Sequence, residues 1–245
     1  MSLLQYKNVS MHFGGLRATD NVSFEVKENE IVGLIGPNGA GKTTLFAMAS
    51  GFLSPTHGQI WFRDKRIDRL TAPDICEAGL VRTYQIVRPF GEMTVLENVM
   101  IGAFLHCRST GRAREQAMRV VERVGLGPRA AQVAHTLTLA GRKRLEVAKA
   151  LATQPKLLLL DEVMAGLNVV EITEMLDLVR SLRDDGVSVL VIEHNMQAIM
   201  RLSDRIIVVH HGQKIADGEP EQVASSAEVI AAYLGDQYKG HHAHA

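Results

Sequence analysis

The sequence predicts an α/β fold with buried, mostly parallel strands. Three observations support this. Short runs such as "EIVGLIG", "KLLLLD" and "VSVLVIEH" are apolar almost throughout, as strands covered on both faces must be. Helical patterns alternate with these runs. After Val169, the residues Ile172, Met175, Leu176, Val179 and Leu182 recur at the spacing of a single helix face. No Pro/Gly/Ser-rich linker or internal repeat divides the chain, so 245 residues with 46% apolar content fit one domain with a substantial subdomain.

In chain order, "LLQYKNVSMHF" and "NVSFEV" alternate as antiparallel strands do. Ile31 to Ile35 form the first buried strand, and a helix is expected from Thr44 onward. Residues of about 88–152 read as mainly helical, an insertion between core segments 1–87 and 153–240. The tail "HHAHA", 241–245, reads as disordered, with weak metal binding through His241, His242 and His244 as the competing reading.

Lys plus Arg and Asp plus Glu both number 27, so no net field draws the whole surface to nucleic acid or an anionic membrane. Any anion site must be local. Cys76 and Cys107 belong to no CxxC or Cys/His cluster and read as reduced thiols that pack. No stretch approaches the ~18–20 apolar residues of a membrane span, and the N-terminus has no basic-then-apolar leader pattern.

The sharpest local signal is "GPNGAGKT", residues 36–43, which matches G-x-x-x-x-G-K-[ST] between a buried strand and a helix. Gly36, Gly39 and Gly41 let the backbone N–H groups of the loop, with Pro37, Asn38 and Ala40, turn toward one point. The helix N-terminus at Thr43 and Thr44 adds partial positive charge for β- and γ-phosphates. Lys42 adds a full charge, worth ~4 kcal/mol at ~4 Å under an effective dielectric near 20. Thr43 offers a hydroxyl to Mg²⁺. Downstream, "LLLLDE" is a buried strand that ends in two carboxylates, a costly place for charge unless a cation compensates. Mg²⁺ is the expected cation, with Asp161 in its shell and Glu162 polarising the attacking water.

Together these residues resemble the ATP-binding cassette (ABC) family from Leu3 to about Leu234. The resemblance implies an ABC-type P-loop NTPase core with an antiparallel β subdomain and an inserted helical subdomain, and ATP as the bound nucleotide. It places Gln85 of "VRTYQ" in the Q-loop, toward the Mg²⁺ and water, and His194 of "VIEHNM" at the switch position near the γ-phosphate. Phe13 of "MHFGG" takes the position of an aromatic that stacks on adenine; a core-facing strand aromatic is the competing reading. Asn168 of "AGLN" stands in the D-loop where many cassettes have Asp, and Val163 where many have Pro.

The family signature, commonly L-S-G-G-Q, falls on Leu137, Thr138, Leu139, Ala140 and Gly141 in ungapped register. Thr138 keeps the serine hydroxyl. Ala140 replaces the second glycine, which is tolerable if its φ is negative, as at a helix start. A one-residue gap would put Gly141 there but break the register of Arg144 and Pro155. Arg142, Lys143 and Arg144 crowd the first helical turn, where the dipole disfavours cations; they read either as neighbours of a polyphosphate or as solvated charges.

The resemblance also implies partners: a second ABC ATPase subunit, identical or not, whose signature closes over the bound ATP. The phrases "GLVRTYQ", "GEMTVLENV", "LLLLDEVMAGLN", "VIEHNM" and "VIAAYLG" are similar to ATPase subunits of bacterial branched-chain amino-acid importers. Such subunits sit in the cytoplasm, peripheral on the inner face of the cell membrane, docked on integral permease subunits served by an extracytoplasmic solute-binding protein. Residues of about 85–100 are the candidate docking surface, unless Met93, Val95, Leu96 and Val99 simply pack. Import of urea, short amides or another amino acid is the nearest alternative. A soluble cassette acting in translation or DNA repair is the alternative of a different class, and no nucleic-acid partner is expected.

Overall fold

The computed structural model describes residues 2–83 and 89–233, so Gln85 and the histidine tail lie outside the described residues. β1 (Ser2–Phe13) and β2 (Leu16–Lys27) pair antiparallel, as their alternation predicts. β3 (Ile31–Ile35) then starts a second sheet, while β4 (His57–Phe62) and β5 (Lys65–Arg66) return to complete the first in the order β2-β1-β4-β5.

The second sheet has the order β10-β9-β3-β8-β7-β6. Its later strands are β6 (Leu80–Arg82), β7 (Leu157–Asp161), β8 (Ser188–Ile192), β9 (Arg205–His210) and β10 (Gln213–Gly218). Every pairing is parallel except that of β10 with β9. The apolar runs follow from the two cores this sheet separates. In β7, Leu158 and Leu160 join one core and Leu157 and Leu159 the other; in β8, Val189 and Val191 face opposite to Leu190 and Ile192. A strand covered on both sides cannot alternate apolar with polar.

One core lies against the antiparallel sheet and α1 (Lys42–Ala49), with α2 (Ala72–Ala78) at its edge. The other lies under the helices that follow. Between β6 and β7 the described chain is helical: α3 (Val95–Ala103), α4 (Thr110–Arg123) and α5 (Leu139–Leu151), with single 3-10 turns at 127–129 and 134–136. Val95, Leu96 and Val99 are buried here and Met93 is half-buried, so these side chains pack, while residues 85–88 of the candidate docking surface lie outside the described residues. Among the described residues of this region the exposed large apolar side chains are Phe90, Ile101, Phe104, Leu105 and Leu139.

α6 (Val169–Asp184) covers the sheet with Met175, Leu176, Val179 and Leu182 buried, joined by Leu178; Ile172 packs half-buried at the margin. Each fully buried side chain contributes roughly 1.5–3 kcal/mol. Asn168 caps the helix, accepting from the Glu171 N–H at 3.0 Å while Glu171 accepts from the Asn168 N–H at 2.9 Å. That capping box is worth only about 1 kcal/mol, so packing holds the helix and the cap fixes where it starts. An amide fills the role as well as a carboxylate, which accounts for asparagine at this position. α7 (Met196–Leu202) and α8 (Pro220–Ser225) complete the named helices, and residues 227–233 are helical. No helix among the described residues is long and apolar enough to cross a membrane.

Candidate functional site

The loop between β3 and α1 is fixed by close backbone approach. Gly36 has φ 150°, and a Cβ there would lie 2.0 Å from the Val209 carbonyl oxygen of β9. Gly41 has φ 102° and would meet the Ala18 carbonyl at 2.4 Å. Any side chain at either point would push the loop off the strands that shape it. Gly41 is the N-cap, so α1 begins at Lys42, two residues earlier than the expected start at Thr44. A left-handed glycine turns the chain sharply enough for the helix to start inside the motif.

The Lys42 side chain folds back over this loop, its Nζ donating to the carbonyls of Gly36 at 2.6 Å and Pro37 at 3.0 Å. Burial lowers its pKa from the usual lysine value, opposed by the nearby Glu162 and Asp161 charges. Thr43 is exposed and Thr44 half-buried on the first turn. Residues 38–44 wall a cavity of about 340 Å³, closed by Phe13, Leu16, Arg17 and Ala18 from the first hairpin and by Glu162 and His194 opposite. Phe13 is 46% exposed at its rim and does not face the core, so the competing strand-aromatic reading fails.

β7 and β8 deliver the acidic side. Glu162 follows β7 with φ 51°, its N–H donating to the Ile192 carbonyl at 2.9 Å. His194 Nε2 lies 2.8 Å from Glu162 Oε1. A carboxylate oxygen accepts, so Nε2 is the protonated ring nitrogen. Asp161 is buried behind the cavity, and its Oδ2 accepts from Arg82 Nη2 at 2.7 Å. Arg82 of β6 balances the strand-end charge of Asp161 within the chain itself, with its guanidinium 5.7 Å from the Phe46 ring. No cluster of three or more His, Cys, Asp or Glu among the described residues is arranged to hold a metal. The donor set here, one hydroxyl and one carboxylate, suits an ion held largely by phosphate oxygens, which is how Mg²⁺ is commonly bound.

Two further charges lie behind Glu162. Lys143 of α5 is 5% exposed and its Nζ donates to the Glu162 carbonyl at 2.7 Å, so its solvated-charge reading is overturned. Burial lowers its pKa, against the attraction of Glu193, Glu162, Asp161 and Glu146. Glu193 accepts from the Met164 N–H at 2.7 Å, and burial pushes its carboxyl up to about 7. Sequence reasoning missed Arg17, Arg82 and Glu193 altogether. Lys143 had a usable signal: it shares with Val147, Ala150 and Leu151 the spacing of the buried face of α5.

The Leu137–Gly141 segment stands elsewhere. Thr138 is the N-cap of α5, accepting from the Gly141 N–H at 3.2 Å. Ala140 and Gly141 lie in the first helical turn, where φ is negative, so the extra methyl is accommodated. Thr138, Ala140 and Gly141 line a second cavity of about 880 Å³ between α4, α5 and α6, with Arg144 across it paired to Glu174. Leu139 is exposed beside Gly166. The two cavities share no lining residue.

A sequence profile for "ABC transporter" matches residues 19–165, from β2 through the phosphate loop, the α5 signature and the carboxylate pair. The chain belongs to the ATP-binding cassette transporter family. It is an ABC ATPase, of a family whose subunits work in transporter complexes and dimerise. A second profile, "Branched-chain amino acid ATP-binding cassette transporter", matches residues 213–239. Similar curated proteins include the high-affinity branched-chain amino acid transport ATP-binding proteins LivG of Salmonella typhimurium, 42% identical over 96% of this chain and 98% of that one, and BraF of Pseudomonas aeruginosa, 40% identical over the same shares. Among solved structures, a nucleotide-free ATP-binding cassette of an ABC transporter superposes with TM-score 0.87 at 31% identity, covering 95% of this chain and 99% of that one. The ADP conformation of an ATP-binding cassette gives 0.88 at 31%, covering 96% and 99%.

Proposed function

We propose that this ABC ATPase powers uptake of branched-chain amino acids, working at the inner face of the bacterial cell membrane on integral permease subunits served by an extracytoplasmic solute-binding protein. The observation that carries the solute class is the match of residues 213–239, which contain β10 and α8, to the branched-chain amino acid cassette profile. A 34% identical relative in Haemophilus influenzae is a lipopolysaccharide export ATP-binding protein, so the shared cassette core alone does not select the cargo.

In this reading the triphosphate enters the cavity with its adenine on Phe13 and its phosphates on the N–H groups of residues 36–44. Lys42 turns from the Gly36 and Pro37 carbonyls, which hold its ammonium in place, toward the β- and γ-phosphates. Thr43 and Asp161, with Gln85, would hold Mg²⁺, which when bound neutralises charge on the phosphate oxygens. Glu162 accepts a hydrogen bond from the attacking water, aligning and polarising it for in-line attack on the γ-phosphorus. His194 holds that carboxylate through Nε2 and stands beside the γ-phosphoryl group as it passes to water, the bond from its phosphorus to the β,γ-bridging oxygen breaking and ADP leaving. Thr138, Leu139, Ala140 and Gly141 act on the nucleotide of a second cassette, because they lie away from this chain's own loop.

The test is reconstitution with permease subunits and a solute-binding protein in vesicles, with uptake of leucine and of urea measured in parallel. ATP-driven leucine uptake that disappears with Glu162→Gln supports the proposal; urea uptake without leucine uptake overturns the solute assignment.

A further inference from the structure

We infer that Lys143 is a positioning residue that ties the signature end of α5 to the backbone of Glu162 in the same chain. The inference rests on the reading of Glu162 as the water-polarising residue. Glu162 occupies a left-handed backbone conformation that non-glycine residues keep only where their surroundings over-determine it. Bonds from several elements do so. Its N–H is held by the Ile192 carbonyl at 2.9 Å and its carboxylate by His194 at 2.8 Å, while its carbonyl accepts from Lys143 Nζ at 2.7 Å and, within the turn itself, from the Ala165 N–H at 3.3 Å. The first two come from β8 and the residues just after it. Lys143 reaches in from the helical segment.

A buried ammonium is a demanding choice for that role, since an apolar side chain would fill the same space without desolvating a charge. Glu193 attracts that charge, and its Oε1 at the same time holds the Met164 N–H, two residues beyond Glu162. The turn carrying Glu162 is thus held both from α5 and from the residue before His194.

Lys143 also lies little more than one turn from Thr138, whose hydroxyl caps the same helix. A ligand drawn against Thr138 and Gly141 therefore moves, through a rigid helical turn, the group that sets Glu162. Each cassette would sense nucleotide on its partner by this route and adjust its own hydrolytic carboxylate.

The experiment compares wild type with Lys143→Met and Lys143→Arg under conditions where wild type turns over, reading kcat and KM for Mg-ATP separately. Lys143→Met is expected to lower kcat about tenfold or more with KM within about twofold, and Lys143→Arg, which can still donate to the carbonyl, to recover most of the loss. A methionine variant within about twofold of wild-type kcat overturns the inference, as does a loss that arginine does not rescue. If Lys143→Met does not fold, Glu193→Gln, which keeps an acceptor for Met164 but removes the charge facing Lys143, is expected to lower kcat at least about threefold; unchanged kcat overturns the inference. Glu162→Gln is run alongside. Should it keep turnover, the reading of Glu162 fails; should it lose turnover while Lys143→Met stays normal, only the role of Lys143 fails.

Discussion

Replacing Arg82 by methionine removes the cation that balances Asp161 and leaves the carboxylate at a strand end between two cores. The pair is tight, 2.7 Å between Arg82 Nη2 and Asp161 Oδ2, with side chains only 9% and 3% exposed. Water therefore screens it little, and breaking such a pair from one side costs about 3–5 kcal/mol because a buried charge loses its hydrogen-bonded partner, with Lys42 and Lys143 attracting it only through space. For a chain of this size each kcal/mol moves Tm by about 2–4 °C, so thermal unfolding of nucleotide-free Arg82→Met should fall by on the order of 10 °C. Removing both partners leaves no orphan charge. Arg82→Met with Asp161→Leu should recover most of the loss, since an apolar pair of similar volume is often as stable as the ion pair. Calorimetry of the two variants checks this. A drop under about 3 °C for the single variant, or no recovery in the double, would refute Arg82 as the counter-charge of Asp161.

Glu162→Gln should leave Mg-ATP binding nearly intact while cutting turnover about 10²-fold or more, read by nucleotide titration beside steady-state hydrolysis. Gly36→Ala should destabilise the chain and abolish ATP binding, because its Cβ would stand 2.0 Å from the Val209 carbonyl; an equilibrium titration showing wild-type affinity would contradict this. Glu193 gives a pH signature. Its carboxyl is held up to about 7 in the fold by burial, so between the ordinary value near 4.5 and 7 the native state binds more protons than the unfolded one. The contribution of this group to stability must then fall as pH rises through that window, by at most about 3 kcal/mol. Lys143 and Glu162 face it and set the size of the effect. Urea unfolding of Glu193→Gln should show a shallower fall than wild type across the same window.

Periodicity and motif made much of this molecule legible. The runs of β3, β7 and β8 are apolar because each feeds two cores, and the residues of α6 named from spacing are those that meet the sheet. The phosphate loop was readable because its glycines answer backbone contacts that few other residues tolerate. What escaped were charges whose partners are distant in sequence. Nothing around Arg82 in "LVRTYQ" announces that it meets Asp161, 79 positions on, because parallel pairing of β6 with β7 creates the contact. Lys143 was read beside Arg142 and Arg144 as one cluster, yet the helical twist sends it inward to Glu162 while Arg144 reaches Glu174. Asn168 stands out in the sequence only as an amide where many cassettes have Asp, whereas its place at the start of α6 asks only for an acceptor.

In the proposed function the loop at 36–44 and the segment at 137–141, which line separate cavities in one chain, complete a hydrolytic site only when a second cassette brings them together. The most direct test is the ATPase rate per chain over a dilution series, with the oligomeric state followed in the same samples. The rate per chain should collapse as the protein becomes monomeric, while monomers still bind Mg-ATP. A rate per chain that stays constant down to fully monomeric protein would contradict it.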